Sequence, residues 1–419
     1  MKGIIKYRSF TVTLCIIMGC LLFLAKCINN QKDKDGNTVN TNQYAAYAGS
    51  ASCASCHKSI YESHVNTAHF HTSEIAAEKN IRGSFDTGKN TFSYPTGGMI
   101  AMEKRPGGFF QVAYADAVEK KKERFDITIG SGTKGQSYAS WVGHKLVQLP
   151  ITFFTSAGQW SNSPGYPDKI AFNRPITSRC MECHTTYAEK ISAPEKEPEE
   201  FDQSRMVLGV DCERCHGPAA GHVKFQTQNP NEKTAKFIIN PASFSRQQSL
   251  DMCALCHGGR LQKTKPSFQF TAGDKLPDYF LIDTTGRDVN SIDVHGNQFG
   301  LLAASKCFKN SSTLTCNTCH NPHQNEKGKA LTFAERCAGC HNDAHTGNVS
   351  CKMKSSLNKE QLNANCVNCH MPEQPSMAIA VHLQGQTIPT PALMHTHLIK
   401  SYPNETKKIL DFIHSQSKN

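Results

Sequence analysis

Seven times the chain places two cysteines three positions apart with a histidine directly after the second. The copies are Cys53, Cys56, His57; Cys180, Cys183, His184; Cys212, Cys215, His216; Cys253, Cys256, His257; Cys316, Cys319, His320; Cys337, Cys340, His341; and Cys366, Cys369, His370. This spacing suits one reaction above others. Two thiols at i and i+3 add to the two vinyl groups of one porphyrin, and the histidine at i+4 ligates the iron from the proximal side. A random chain of 419 residues with 19 Cys and 19 His would hold about 0.04 such pentapeptides. One copy alone would also fit half a zinc site or a redox dithiol; seven copies do not. The sequence therefore predicts seven covalently attached haem c groups.

The elements that carry these motifs leave little room for an ordinary core. From Cys180 onward, successive motifs start 32, 41, 63, 21 and 29 residues apart. Such gaps hold short helices and turns. The porphyrins must then supply the apolar interior, and covalent attachment restricts the unfolded chain. The hydrophobic fraction of 38% fits a fold whose interior is partly cofactor. The predicted fold class is α+β with low regular secondary structure: a haem-cored multihaem cytochrome c fold with a small antiparallel β insertion.

That insertion is expected over residues 81–175, which contain no cysteine. Gly97-Gly98 and Pro106-Gly107-Gly108 signal turns. Between and after them, Phe109 to Tyr114, Phe125 to Ile129 and Lys145 to Phe154 are rich in β-branched and aromatic residues. Both tryptophans, Trp141 and Trp160, fall here and are read as core packing. Residues 51–80 form the first haem segment. No Pro or Gly lies between His57 and Asn80, so a helix is expected there. Residues 188–203 read as a charged loop broken by proline. Residues 176–400 make a six-haem domain, and residues 401–419 a C-terminal helix.

Residues 1–27 read as an export signal. Lys2, Lys6 and Arg8 precede an apolar or small run from Phe10 to Ala25. Cys20 and Cys27 are alternative lipidation sites; an uncleaved anchor helix is the other reading. Residues 28–50 read as a flexible tether. The haem-bearing part is thus expected in the periplasm or at the cell surface, held to the membrane by a lipid or an N-terminal anchor. Outside the signal and the motifs only Cys307 and Cys351 remain. In an oxidising compartment they are expected to form one disulfide.

Several stretches resemble a superfamily of multihaem cytochromes. It contains the tetrahaem cytochrome of ammonia oxidisers, hydroxylamine oxidoreductase, pentahaem nitrite reductase and octahaem tetrathionate reductase. Cys212 to His222 is similar to its Cys-x-x-Cys-His-Gly-Pro-x-x-x-His element. Cys316 to His323 ends Cys-His-Asn-Pro-His, and Cys366 to Pro372 ends Cys-His-Met-Pro. Ile60 to His69 resembles the family's Tyr-x-x-Trp-x-x-Ser-x-His element, departing at His64 and Thr67. The resemblance implies distal iron ligands at His222 and His323, at His69, and at His397. His295 and His345 lie between motifs and complete the candidate set. In the first segment His64 and His71 stand behind His69. His144, His382, His395 and His414 read as surface residues, and Met371 and Met377 as thioether alternatives.

The formal net charge is +11. Haem propionates bring about two negative charges each, so the basic residues read as their partners rather than as a nucleic-acid surface. No nucleic-acid or phosphate-binding motif accompanies them. Two functions from different classes fit. One is an electron carrier between a quinol-side membrane donor and a terminal acceptor, with redox proteins as partners. The other is an oxidoreductase acting on a small nitrogen or sulfur oxyanion at a five-coordinate haem. The reductases in the resembled family use a motif ending in Lys. All seven motifs here end in His.

Overall fold

The computed structural model describes residues 46–282, 288–341, 351, 353 and 356–416, and the backbone of Asn30–Lys32 and Thr38–Asn40. The two last-named stretches, β1 and β2, pair antiparallel, Asn30 facing Asn40. The chain is a mixed α and β protein with several small antiparallel sheets.

Most strands lie between the first and second cysteine motifs. β3 is Ser73–Ile75, and β4 (Thr91–Ser93), β5 (Met99–Arg105), β6 (Gly108–Ala115) and β7 (Val118–Arg124) form a four-stranded meander. Gly107 turns β5 into β6 with φ of 94°, the left-handed conformation a two-residue hairpin needs. β8 (Ile127–Ile129), β9 (Gly135–Val142), β10 (Lys145–Gln148), β11 (Ile151–Phe154), β12 (Gln159–Asn162) and β13 (Arg174–Pro175) make the second sheet, in which β8 also pairs with β3. Successive side chains on a strand face opposite ways, and β9 uses this directly. Tyr138 enters a core with Ile100, Met102, Phe125, Ile151 and Trp160. Ala139 enters another with Ile127, Leu146, Ile176, Met181 and Phe201. Trp160 donates its ring N–H to the Ser84 carbonyl at 2.8 Å.

A buried glutamine joins the two sheets. Gln111 on β6 donates Nε2 to the Ile151 carbonyl (2.7 Å) and accepts from the Ile151 N–H (3.0 Å). It replaces a strand neighbour for Ile151. Gln111→Leu is expected to orphan both backbone groups at about 1–3 kcal/mol each. Chemical denaturation of the variant, followed by tryptophan fluorescence, checks the loss.

The sheets hold the chain on either side of the first two motifs. α1 (Lys58–His64) ends early: the Thr67 hydroxyl donates to the His64 carbonyl at 2.7 Å, and the chain passes into β3. The longer helix expected through 57–80 does not form. Thr72 and Ser73 donate their hydroxyls to the His184 carbonyl (3.1 and 2.6 Å), and β3 pairs with β8. These long-range bonds outweigh local helix preference. The tether expected over 28–50 also ends sooner. Ala48 and Gly49 donate their N–H groups to Glu213 (2.8 and 2.9 Å), and Tyr47 stacks on Tyr187.

Beyond β13 short helices dominate. α2 (Ser178–His184), α3 (Cys212–His216), α4 (Ala220–Gln228), α5 (Arg246–His257), α6 (Gln298–Ala304), α7 (Lys306–Lys309), α8 (Cys316–Cys319), α9 (Ala330–Ala338), α10 (Lys359–His370) and α11 (Pro403–Gln416) follow in order. α5 and α10 start with capping boxes, Ser245 with Gln248 and Asn358 with Gln361, which satisfy the free N–H groups of the first turn. A hairpin of β18 (Glu373–Val381) and β19 (Thr390–His395) follows two short pairs, β14 (Thr185–Tyr187) with β15 (Val207–Leu208) and β16 (Gln262–Lys263) with β17 (Phe280–Leu281). Val381, Leu383 and Ala392 of the hairpin region pack on Phe154 of β11. Among the described residues no helix is long and apolar enough to cross a membrane.

Candidate functional site

Five of the seven motifs reach their histidine at the end of a helix or directly after it: α2, α3, α5, α8 and α10. One helical turn sets residues i, i+3 and i+4 on a common face, so two sulfurs and an imidazole address one ring. At the first motif Ser50–Ser55 forms a 3-10 turn, and at the sixth Cys337 lies in α9.

The motifs meet through their sulfurs. The thiols of Cys53 and Cys212 are close enough to perturb one another's protonation, as are those of Cys183 and Cys256 and of Cys253 and Cys316. Reciprocal contacts support the second pair: Cys183 Sγ lies 4.0 Å from the Leu255 carbonyl and Cys256 Sγ 3.7 Å from that of Glu182. Arg336 on α9 donates to the Cys319 carbonyl at 2.6 Å, and α9 packs along α10. The motifs thus run in contact from first to third, second to fourth, fourth to fifth, and on through the sixth to the seventh.

Histidines far apart in sequence come together between them. His69 stands 6.2 Å from His257, ring centre to ring centre. His216 and His323 are 6.1 Å apart and nearly parallel at 19°. His320 and His397 are 6.1 Å apart at 29°. A metal–imidazole bond is about 2 Å and the ring centre lies about 1 Å beyond its nitrogen, so two imidazoles trans on one iron have centres about 6 Å apart. Each pair joins one motif histidine to one from elsewhere. His184 is electrostatically coupled to His295. These residues fit the haem that the motifs imply.

The protonation states fit as well. Burial pulls His69 down to about 4, helped by His257, His64 and His320. Burial likewise pulls His397 to about 4, with His320 and His257 adding to it. Burial lowers His184, His257, His295, His320 and His323 too. Iron takes the neutral imidazole. Backbone carbonyls hold several rings by Nδ1, leaving Nε2 for a metal: His216 on Ile239 (2.9 Å), His370 on Lys400 (3.0 Å) and His184 on Thr72 (3.4 Å).

Acid should act through these groups. A histidine whose folded value is near 4 and unfolded value near 6.5 binds its proton mainly in the unfolded chain between those limits. A bound iron would hold these imidazoles neutral to still lower pH, so the stability they contribute is complete above about pH 6.5 and is lost as the pH falls. Thermal melting across that range is the check; rising stability on acidification would contradict it.

The remaining sequence candidates are placed as follows. His222 donates Nδ1–H to the Lys236 carbonyl, 2.9 Å away; among the described residues no second imidazole makes ring contact with it. His345, Cys20 and Cys27 lie outside the described residues. His64 is buried 3.2 Å from Asp211, edge-on to His323. His71 meets Glu74 at 2.9 Å. The expected disulfide is not formed: Cys307 and Cys351 are both free. Cys307 neighbours Cys319, Cys337 and Cys340, whereas Cys351 neighbours Cys366 and Cys369. They sit beside different motifs. His395 was expected at the surface. It is half-buried, with Nδ1 held by the Met371 carbonyl at 2.6 Å, the same tether the motif histidines use. Its place two residues before His397 was the available signal.

The family model described as cytochrome c554 and c-prime matches residues 163–217, which take in the second and third motifs. The multiheme cytochrome MtrA of Shewanella baltica (strain OS185) is 24% identical over 197 residues, 46% of this chain and 51% of that protein. The chain thus spans about half the length of that relative. The crystal structure of the outer cell wall cytochrome OcwA superposes with a TM-score of 0.52 at 17% identity, covering 86% of this chain and 81% of that one. That likeness is one of fold.

Proposed function

We propose that this chain, a multihaem c-type cytochrome, carries seven covalent haems and relays single electrons along them outside the inner membrane, between a quinol-side donor and a terminal acceptor. The observation that carries the reading is the set of three imidazole pairs at 6.1–6.2 Å. Two histidines on each iron close it to substrate and favour low-potential electron transfer over catalysis.

In this reading His257 and His69 would hold the fourth haem, His216 and His323 the third, and His320 and His397 the fifth. His184 and His295 hold the second. His222 serves the first haem, attached at Cys53 and Cys56 beside His57, because Ala220 N–H binds the Ala46 carbonyl and draws α4 onto the segment leading into that motif. The bound haem supplies the one-electron iron couple. The chain's own part is to fix the rings. His323 follows His320 by three residues, and Pro322 turns the chain away, so it reaches a neighbouring haem rather than its own. Each such histidine ties two haem segments together and sets their spacing.

Residues 1–27 would anchor the carrier by Cys20 or Cys27, or as an uncleaved helix. Intact mass of the exported protein tests the haem count. Seven haem additions are expected; fewer would reject the assignment of all seven motifs. Reduced protein mixed with nitrite, hydroxylamine or sulfite should reoxidise no faster than in buffer. Saturable turnover would replace the carrier by an oxidoreductase.

A further inference from the structure

The third motif is charged asymmetrically across its own helix. Its sequence is Cys212-Glu213-Arg214-Cys215, preceded by Asp211. The Glu213 carboxylate accepts hydrogen bonds from the N–H groups of Ala48, Gly49 and Ala219 (2.8, 2.9 and 2.8 Å). It therefore lies against the segment that leads into the first motif. Asp211 caps the helix on the same side, accepting from Cys212 N–H at 2.8 Å, and both acids bear on the Cys53 sulfur. Among the described residues neither acid is paired with a lysine or arginine.

Arg214 leaves in another direction. Its Nη2 donates to the Glu182 carbonyl at 3.1 Å, and the guanidinium lies over Phe268, 5.4 Å from the ring centre. It bears on the sulfurs of Cys183, Cys215 and Cys256, where the second, third and fourth motifs meet. Its Nε is buried without a hydrogen-bond partner. The nearby Glu182 carboxylate is already held by Arg179 (3.2 Å) and by Phe268 N–H (2.9 Å). Among the described residues no protein carboxylate forms an ion pair with Arg214.

We infer that this segment builds a potential step into the chain: Asp211 and Glu213 make the first haem the more reducing, and Arg214 makes the second and fourth the more oxidising. The physics is that of charge in a poorly solvated interior. A nearby negative charge stabilises the oxidised iron, a nearby positive charge the reduced one, and burial weakens screening of both. Electrons entering at the first haem are then drawn through the third toward the place where the second and fourth meet. All three residues act as positioning groups through the field they set. The inference rests on the electron-carrier reading above.

The test uses the full, haem-loaded protein. Wild type is first checked for seven haems and low-spin irons; failure there overturns the carrier reading and not the step itself. Redox titration followed optically and by electron paramagnetic resonance then compares Arg214→Gln with Glu213→Gln. The first should lower one or two midpoints and the second should raise a different one. Arg214→Lys, which keeps the charge, should restore the lowered midpoints most of the way. Arg205→Gln, at an exposed site, should shift none. If Glu213→Gln fails to load all haems, Asp211→Asn reads the same side with the same expected sign. Midpoints unmoved in Arg214→Gln, or moved the same way by the acidic and basic variants, would overturn the step.

Discussion

Protein made where haem is not attached is expected to keep its β-sheets and lose the rest. The two largest apolar clusters both lie on the sheets that follow the first motif, around Tyr138 and Trp160 and around Leu146 and Phe201. The last third of the chain buries far less. α8, α10 and α11 contain no buried residue. A core that small cannot offset the conformational entropy of ordering the helices, about 1–2 kcal/mol per residue. The haem rings and their covalent links must make up the difference, as metals do in other small domains. Limited proteolysis should leave a resistant fragment spanning the strands from Ser73 to Pro175 and digest the region beyond Arg246. Far-ultraviolet circular dichroism should keep a strand signal and lose helix. A cooperative unfolding transition unchanged by the lack of haem would show that the protein core suffices.

Replacing His323 by alanine is expected to change one haem of seven. His323 stacks on His216 at 6.1 Å, so the third haem would lose its second ligand. About one seventh of the absorbance should turn high-spin, and that haem's midpoint should rise because loss of an imidazole destabilises the ferric state. The attachment of all seven haems should persist, since the thioethers do not depend on the distal ligand. The fifth segment would also lose its tie to the third. Electron flow through the chain should slow sharply if, as proposed, the third haem lies on the relay. His144→Ala, at a site remote from any motif in sequence, serves as the control. An unaltered spectrum in His323→Ala would remove the assignment.

The chemistry was legible because it is local. A Cys-x-x-Cys-His copy states its partner in five residues, and no tertiary information is needed. The strands were legible for a similar reason: Phe109 to Tyr114 is rich in aromatic and β-branched residues and follows the Gly107-Gly108 turn, and β6 covers it. The imidazole pairs were not. His69 and His257 are separated by most of the sheet region, and only the folded sheets and α5 bring them together. The resemblance and Pro322 together offered His323 as a candidate ligand to a neighbouring haem, but gave no sign that its ring would lie beside His216. The helix expected after His57 forms but stops at His64, because hydroxyls of Thr72 and Ser73 found a carbonyl at His184, a bond invisible to local propensity. The disulfide failed because counting spare thiols says nothing of where they lie. His395 was missed because an imidazole tethered by a carbonyl looks like any other histidine until the carbonyl is found.

Electron paramagnetic resonance of the purified, fully oxidised protein tests the relay most directly. Two histidines on every iron predict low-spin ferric signals that account for all seven haems, unaltered by nitrite, hydroxylamine or sulfite. A high-spin signal amounting to one haem and shifted by any of those anions would contradict the relay and place a reaction at that iron.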